Sequence, residues 1–354
     1  MKSFMPDLLD QPSPTRPAAK RCARPRLGFL GVGWIGRNRM EAMAASGAIE
    51  ITAIAETSEA LRTEAARIEP RAAVLDSLDA LLEVELDGVV IATPSALHAD
   101  QAVAALERGL AVFCQKPLGR NAAETRRVID AARSADRLLG VDLSYRFITG
   151  VQRIRELNLA GELGDIYAVD LTFHNAYGPD KPWFYDARLS GGGCVIDLGI
   201  HLVDLALWTL QFPRLRNVTS RLFAQGRPLA RDTGEVEDYA MARLDLETGA
   251  AVQLACSWKL PAGCDAVISA AFYGTRGGAA IRNVGGSFYD FVAERFIGTR
   301  REILSDIVEP WGPRAAVNWA EQLARGGRYS PDVEDLLAVA ESLDCIYGNS
   351  RLPI

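Results

Sequence analysis

The sequence predicts an α/β protein of two units: an N-terminal domain built on a parallel sheet with helices on both faces, and a C-terminal α/β domain whose sheet is mainly antiparallel. Three observations carry that expectation. From residue 26 to about 147, short apolar runs alternate with helical patterns, as parallel strands joined by crossover helices require. The first of those runs breaks into a glycine turn. After about residue 150 the strands lengthen, alternate apolar with polar positions, and follow one another through short connections, which implies antiparallel pairing.

The first unit opens with Leu27–Leu30, then Gly31-Val32-Gly33-Trp34-Ile35-Gly36, then helix formers through about Ser46. In such a strand–turn–helix the first glycine permits the tight turn and the second lets a pyrophosphate approach the backbone. The third lets helix and strand pack closely, and the free N–H groups of the helix face the phosphates. The second apolar run, Ile49 to Ala55, ends on Glu56, 20 residues beyond Gly36. A carboxylate there can accept both hydroxyls of an adenosine ribose. A helix capped by Ser58 follows, then a weak strand at 73–75, a short helix near 78–82, and a strand at Val89–Ala92. A helix from His98 to Arg108, a strand at Leu110–Cys114, a helix around 124–132 and a strand at Leu138–Leu143 complete the unit. Ligands bind outside the carboxyl ends of such strands. That rule selects Gly31–Gly36, Glu56, Thr93-Pro94-Ser95, Gln115-Lys116-Pro117 and Ser144–Phe147 as the segments that hold a site.

In the second unit, Thr149 can cap a helix ending near Gly161, and a strand runs from Asp165 to Tyr177 with Tyr167, Val169, Leu171 and Phe173 on its apolar side and Ala168, Asp170, Thr172 and His174 on the other. A helix is expected at about Asp197–Leu210 and strands at 236–246, 251–260 and 266–273, with Glu247-Thr248-Gly249 as a hairpin turn. A patterned helix over 331–347 ends before Gly348. Residues 1–25, with five prolines and scattered basic residues, read as an extended or disordered arm. The expected domains are thus 26–147 for the dinucleotide and 148–354 for substrate binding and oligomerisation, with the helix at 331–348 free to fold back on the first.

Composition bounds the function. Hydrophobic content of 49% and charged content of 24% describe a folded chain. A net charge of −6, with no run of like charges, gives no footprint for nucleic acid or an anionic membrane. No apolar run reaches the ~20 residues of a membrane span, and no secretory h-region is visible. The six cysteines show no CxxC spacing, as in a reduced, cytoplasmic protein.

Two groups could carry chemistry. Lys116 ends a strand and precedes Pro117, which disfavours helical geometry before it. Its ammonium can stabilise a developing alkoxide, or be a solvated surface lysine. Asp197, His201 and Asp204 fall at i, i+4 and i+7 of one helical stripe. A carboxylate one turn from an imidazole can fix its tautomer and support proton transfer; the alternative is a solvated polar face. A metal site on these three lacks further ligands, so none is expected. His98 lies where its helix begins, by the cofactor edge, or serves a purely structural role; His174 lines a sugar pocket or is satisfied by sheet neighbours, and Tyr177 and Trp183 stack on a sugar ring or anchor their loop.

Taken in order, GFLGVGWIG, ATPSALH, VFCQKPL, SYRF, GGGCVIDLGIHLVDLALW, VEDYA and GTRG resemble the glucose–fructose oxidoreductase / inositol dehydrogenase (Gfo/Idh/MocA) family over residues 26–348. The resemblance implies a Rossmann domain followed by an α/β domain with an open, mainly antiparallel sheet that packs against a second subunit, giving a homodimer or homotetramer. It implies catalysis by Lys116, Asp197 and His201, with Asp197 holding His201. It implies cofactor contacts from Gly31, Gly33, Trp34, Ile35, Gly36, Glu56, Thr93, Pro94, Ser95, His98, Gln115 and Lys116. Substrate contacts are expected from Lys116, Arg146, His174, Tyr177, Trp183, Asp197 and His201. The expected activity is NAD-dependent interconversion of a secondary alcohol and a ketone on a sugar, cyclitol or polyol. A glycosidase-type enzyme using bound NAD, or a sensing regulator of the same fold, are the alternatives. One departure stands out: the family's Glu-Lys-Pro motif reads Gln115-Lys116-Pro117 here.

Overall fold

The computed structural model describes residues 24–230 and 234–348, so the expected N-terminal arm lies almost wholly outside the described residues. Six strands form the first sheet: β1 (Arg26–Leu30), β2 (Glu50–Ala55), β3 (Ala73–Leu75), β4 (Gly88–Ile91), β5 (Ala111–Cys114) and β6 (Leu139–Val141). All five pairings are parallel, in the order β3-β2-β1-β4-β5-β6. The helices between them are α1 (Trp34–Ser46), α2 (Glu59–Ile68), α3 (Leu78–Leu82), α4 (Ser95–Glu107) and α5 (Ala122–Ala135). The order reverses at β1, so a crevice opens between the carboxyl ends of β1 and β4. Burial on both faces is why these strands are uniformly apolar: every residue of β4 and β5 is buried. Helix α4 begins three residues earlier than expected, at Ser95, because Pro94 serves as its N-cap.

The second unit contains α6 (Thr149–Leu159), β7 (Ile166–Asn175), α7 (Ala187–Ser190), a π-helical turn (Val195–Gly199) running into α8 (Ile200–Thr209), and strands β8 (Leu215–Ala224), β9 (Arg227–Pro228), β10 (Tyr239–Leu246), β11 (Ala251–Ser257), β12 (Ala266–Gly274), β13 (Gly278–Asn283), β14 (Phe291–Ile297) and β15 (Arg300–Ser305). They form one open sheet, β15-β14-β13-β12-β7-β11-β10-β8-β9. Only the β7–β11 pair is parallel; the hairpin β10–β11 is antiparallel, as its short turn requires. Strands β11 and β12, which looked like sequence neighbours in the sheet, are separated by β7, which pairs with both. Val169, Leu171 and Phe173 of β7 are buried under the helical layer, whereas Tyr167, expected on the same apolar face, is exposed near the start of the strand.

The stretch Ala187–Thr209, which takes in α7, the π turn and α8, is by length and composition (mean hydropathy 1.4) long and apolar enough to cross a membrane, although Arg188, Asp197 and Asp204 interrupt it. Its apolar window is 78% buried, so the stretch forms part of the core of this unit.

The chain then returns to the first unit. Helix α9 (Arg314–Ala324) seats Ala315, Ala316, Trp319 and Ala320 in the core around Phe29 and Phe113, with the Trp319 and Phe113 rings 5.7 Å apart. The expected boundary gave residues 148–354 to one domain; α9 departs from that because its apolar face completes the exposed side of the parallel sheet. Helix α10 (Asp335–Tyr347) joins the two units: Asp344 accepts the Ala122 N–H at 3.1 Å and the Ile346 carbonyl accepts the Ser220 hydroxyl at 2.6 Å.

Candidate active site

A cleft of about 850 Å³ runs along the carboxyl ends of the parallel strands and is closed on its far side by the second unit. Gly31, Gly33, Trp34, Ile35, Glu56, Thr93, Pro94, Ser95, His98, Gln115, Lys116, Trp183, Asp197 and His201 all line it. At its nucleotide end Gly31 adopts φ +83°, and a Cβ on Gly36 would lie 2.2 Å from the Gly31 carbonyl, so the turn into α1 closes only around glycine. No side chain caps α1, and a Cβ on Gly33 would meet nothing within 4 Å. Uncapped N–H groups beside open space are what a pyrophosphate needs. Glu56 is pinned in place, one carboxylate oxygen accepting the Val32 N–H and the other the Ser58 N–H, both at 3.0 Å.

His98 is a brace. Its two ring nitrogens lie 2.7 Å from the carbonyls of Pro117 and Thr93, between the loops after β5 and β4; burial lowers the imidazole pKa, so the neutral ring donates to one of the two. It lines the cleft at the edge the sequence indicated, and its ring nitrogens face the protein.

At the other end, the Lys116–Pro117 peptide is cis and Lys116 reaches the π turn. Its Nζ donates to the backbone carbonyl and to Oδ1 of Asp197, both at 2.7 Å. The second carboxylate oxygen of Asp197 accepts Nε1 of Trp258 at 3.0 Å. Asp197 therefore holds Lys116, not His201. The reason is the π turn: its wider winding displaces Asp197 from the α-helical i, i+4 relation the spacing implied. The turn itself is set by Glu237, whose buried carboxylate accepts the N–H groups of Gly193 and Val195 at 2.9–3.0 Å and the Tyr347 hydroxyl at 2.8 Å. A Cβ on Gly193 would sit 1.9 Å from the Glu237 carbonyl, so that approach admits only glycine.

His201 packs on Tyr145, ring centroids 4.8 Å apart, and Tyr145 packs equally closely on Trp311. His201 Nδ1 is buried with no hydrogen-bond partner. Burial, reinforced by the charges of Lys116 and Arg39, holds the imidazole pKa well below its usual value. The ring is neutral at pH 7, and its orphaned nitrogen costs about 1–3 kcal/mol unless a ligand group meets it.

Three expected substrate contacts lie elsewhere. Arg146 binds Asp204 through Nε at 2.8 Å and lies over the Trp208 and Phe212 rings, so neither member of that pair faces the cleft; this also removes Asp204 from any metal set with Asp197 and His201. His174 bonds the Ser257 hydroxyl at 2.8 Å and stacks on Tyr239. The Tyr177 hydroxyl donates to Asp265 at 2.6 Å. In each case a neighbour on α8, on β11 or in the bend before β12 satisfies the polar group. Conversely, Arg39, Asp142, Phe184, Tyr289 and Trp311 line the cleft and were not singled out, while Tyr145 lines it from the selected segment Ser144–Phe147. Asp142 carried a readable signal, a carboxylate inside the apolar run Leu138–Leu143; the aromatics carried none.

A nucleotide-binding parallel sheet joined to a cleft that holds a lysine and an imidazole defines an NAD(P)-binding oxidoreductase. Comparison with known proteins agrees. Residues 25–143 match the oxidoreductase family NAD-binding Rossmann fold, and residues 151–280 the GFO/IDH/MocA C-terminal domain. The chain belongs to the Gfo/Idh/MocA family, and it is an enzyme acting on CH–OH groups. It is 29% identical to D-glucoside 3-dehydrogenase of Escherichia coli (strain K12) over 66% of this chain and 70% of that one. It is 32% identical to D-xylose 1-dehydrogenase (NADP(+)) 2 of Haloferax volcanii, again over 66% and 70%. The structure of GenD2 from gentamicin A biosynthesis in complex with NAD superposes with a TM-score of 0.78 at 25% identity, over 95% of this chain and 96% of that one.

Proposed function

We propose that this chain is an NAD-dependent dehydrogenase that interconverts a secondary alcohol and a ketone on a sugar, cyclitol or related polyol. The observation that carries the reading is the meeting of Lys116, held by Asp197, with a neutral, unpartnered His201 in the wall of a dinucleotide-sized cleft. In the oxidation direction His201 takes the hydroxyl proton of the carbinol. Lys116 binds the same oxygen and stabilises the charge that develops on it. Asp197 and Trp258 keep the lysine in place. A dinucleotide held along the cleft would supply the hydride acceptor for the carbinol carbon. In reduction His201 returns the proton. Trp183 and Phe184, whose stacked rings lie 3.8 Å apart, offer an apolar face to a sugar ring.

Glu56 supports NAD over NADP, because a carboxylate repels a 2′-phosphate. Equal use of NADP by the wild-type protein would defeat that part of the reading, and Glu56→Ala is expected to relax the preference. The main test is a panel of sugars and polyols read by NADH absorbance, repeated with His201→Ala. The variant is expected to bind NAD as the wild type does and to lose turnover by about 10²–10⁴-fold. Unchanged turnover would remove His201 from the mechanism.

The outer face of the open sheet supports a homo-oligomer: Met241 and Tyr273 are 48% and 37% exposed there. A mass of one chain by light scattering would refute this.

A further inference from the structure

The nicotinamide end of the cleft holds a second charged group that the mechanism above does not use. Asp142, at the end of β6, is 1% exposed. Its carboxylate accepts Nε of Arg39 at 2.6 Å, the Ser144 hydroxyl at 2.6 Å, and the amide of Gln115 in a short contact. Arg39 is itself 6% exposed and also donates to Ser144 at 3.3 Å and to Asn38 at 2.6 Å. Arg39, Gln115, Asp142 and Ser144 all line the cleft beside Lys116.

This arrangement dictates which way Gln115 points. An amide has two donors and one acceptor oxygen, and nothing local to its own bonds decides their order. A carboxylate only accepts, so the group that Gln115 turns to Asp142 must be its NH₂. Since Gln115 lines the cleft, its acceptor oxygen Oε1 is then the group it can offer a ligand there. A glutamate at 115 would offer the same acceptor but would set two carboxylates in contact. Here the negative charge stands one residue deeper, at Asp142, where Arg39 balances it, and position 115 presents a neutral acceptor next to Lys116.

We propose that Asp142 is a positioning residue for the dinucleotide: it locks the Gln115 amide so that Oε1 faces the nicotinamide half of the cofactor as a hydrogen-bond acceptor. The inference rests on the functional reading only in taking the cleft to bind NAD. It is tested by binding rather than turnover, through titration of NAD against the full chain followed by tryptophan fluorescence, since Trp34 lines the cleft.

Three variants with a melting temperature for each make the test. Asp142→Asn frees the Gln115 amide to turn, and Kd for NAD is expected to rise about three- to tenfold, the worth of one hydrogen bond. Gln115→Met leaves the Arg39–Asp142 pair intact and removes the acceptor, so it is expected to weaken NAD binding by a similar factor without loss of melting temperature. The double variant Gln115→Glu/Asp142→Asn transposes the charge: the asparagine NH₂ now donates to a glutamate whose other oxygen faces the cleft, and binding is expected to recover relative to Asp142→Asn alone. Wild-type Kd in Gln115→Met, or no recovery in the double variant while it melts like the wild type, overturns the proposal. Absence of NAD binding by the wild type would instead overturn the functional reading.

Discussion

Two ion pairs flank the end of the cleft that holds His201, and they differ in how far water reaches them. In the Lys116–Asp197 pair the side chains are 18% and 16% exposed and the partners come from the two different units. In the Arg39–Asp142 pair they are 8% and 0% exposed and both come from the nucleotide-binding unit. Both pairs are close, at 2.7 and 2.6 Å. A charge that water and ligand can reach is available to a reacting oxygen; a sealed charge can only organise its neighbours. The first pair sits where chemistry is expected, and the second fixes the helix after the glycine turn to the end of β6.

The sharpest way to break this contrast is to delete the cation of each pair. Arg39→Met leaves a carboxylate buried without its partner and is expected to cost about 3–5 kcal/mol of stability, read as a lowered denaturation midpoint. Lys116→Met is expected to cost little stability but about 10²–10³-fold in kcat, the scale of losing one oxyanion donor. If the two variants show the same balance of stability and rate losses, the distinction between the pairs is void.

Smaller effects sharpen it. Trp258→Phe removes the donor to Asp197 Oδ2 and is expected to lower kcat about tenfold while leaving Kd for NAD in place. A larger loss of NAD affinity than of rate would show that Asp197 serves the cofactor instead. The pH profile is the mildest probe. Burial lowers the His201 pKa well below 6.5, so the ring stays neutral, and able to take a proton, down through pH 6.5. The acid limb of kcat/KM for oxidation is expected below that pH, and an acid limb centred above 6.5 would contradict the environment described. His98 and His174 are lowered too, chiefly by burial. A depressed histidine leaves stability whole above the unfolded value near 6.5, because neither state then binds the proton. Stability then falls as the pH drops below 6.5, where the unfolded chain takes up protons that the folded chain refuses. Denaturation midpoints at pH 8, 6.5 and 5 check this.

The strand–glycine–helix turn was legible because its cause is local. Gly31 and Gly36 are demanded by backbone geometry within six residues, and Glu56 follows from the next strand's length. Lys116 was legible for the same reason, standing where a strand ends. The π turn was not, since it is imposed by Glu237 and Tyr347, which lie 40 and more residues away along the chain. Hence the Asp197–His201 spacing suggested a couple, whereas Asp197 pairs with a lysine 81 residues earlier. Arg146, His174 and Tyr177 misled because polar residues next to a site look alike until their partners, Asp204, Ser257 and Asp265, are seen.

By itself, then, the sequence determined the alternation of strands and helices, the nucleotide turn, and the residue types available for proton transfer, because periodicity and turn chemistry act over a few residues. Tertiary structure alone decided which carboxylate meets which cation, that α9 returns to the first core, and that Gln115 leans on Asp142. Those outcomes depend on burial and on contacts between segments far apart in the chain, and no local pattern encodes them.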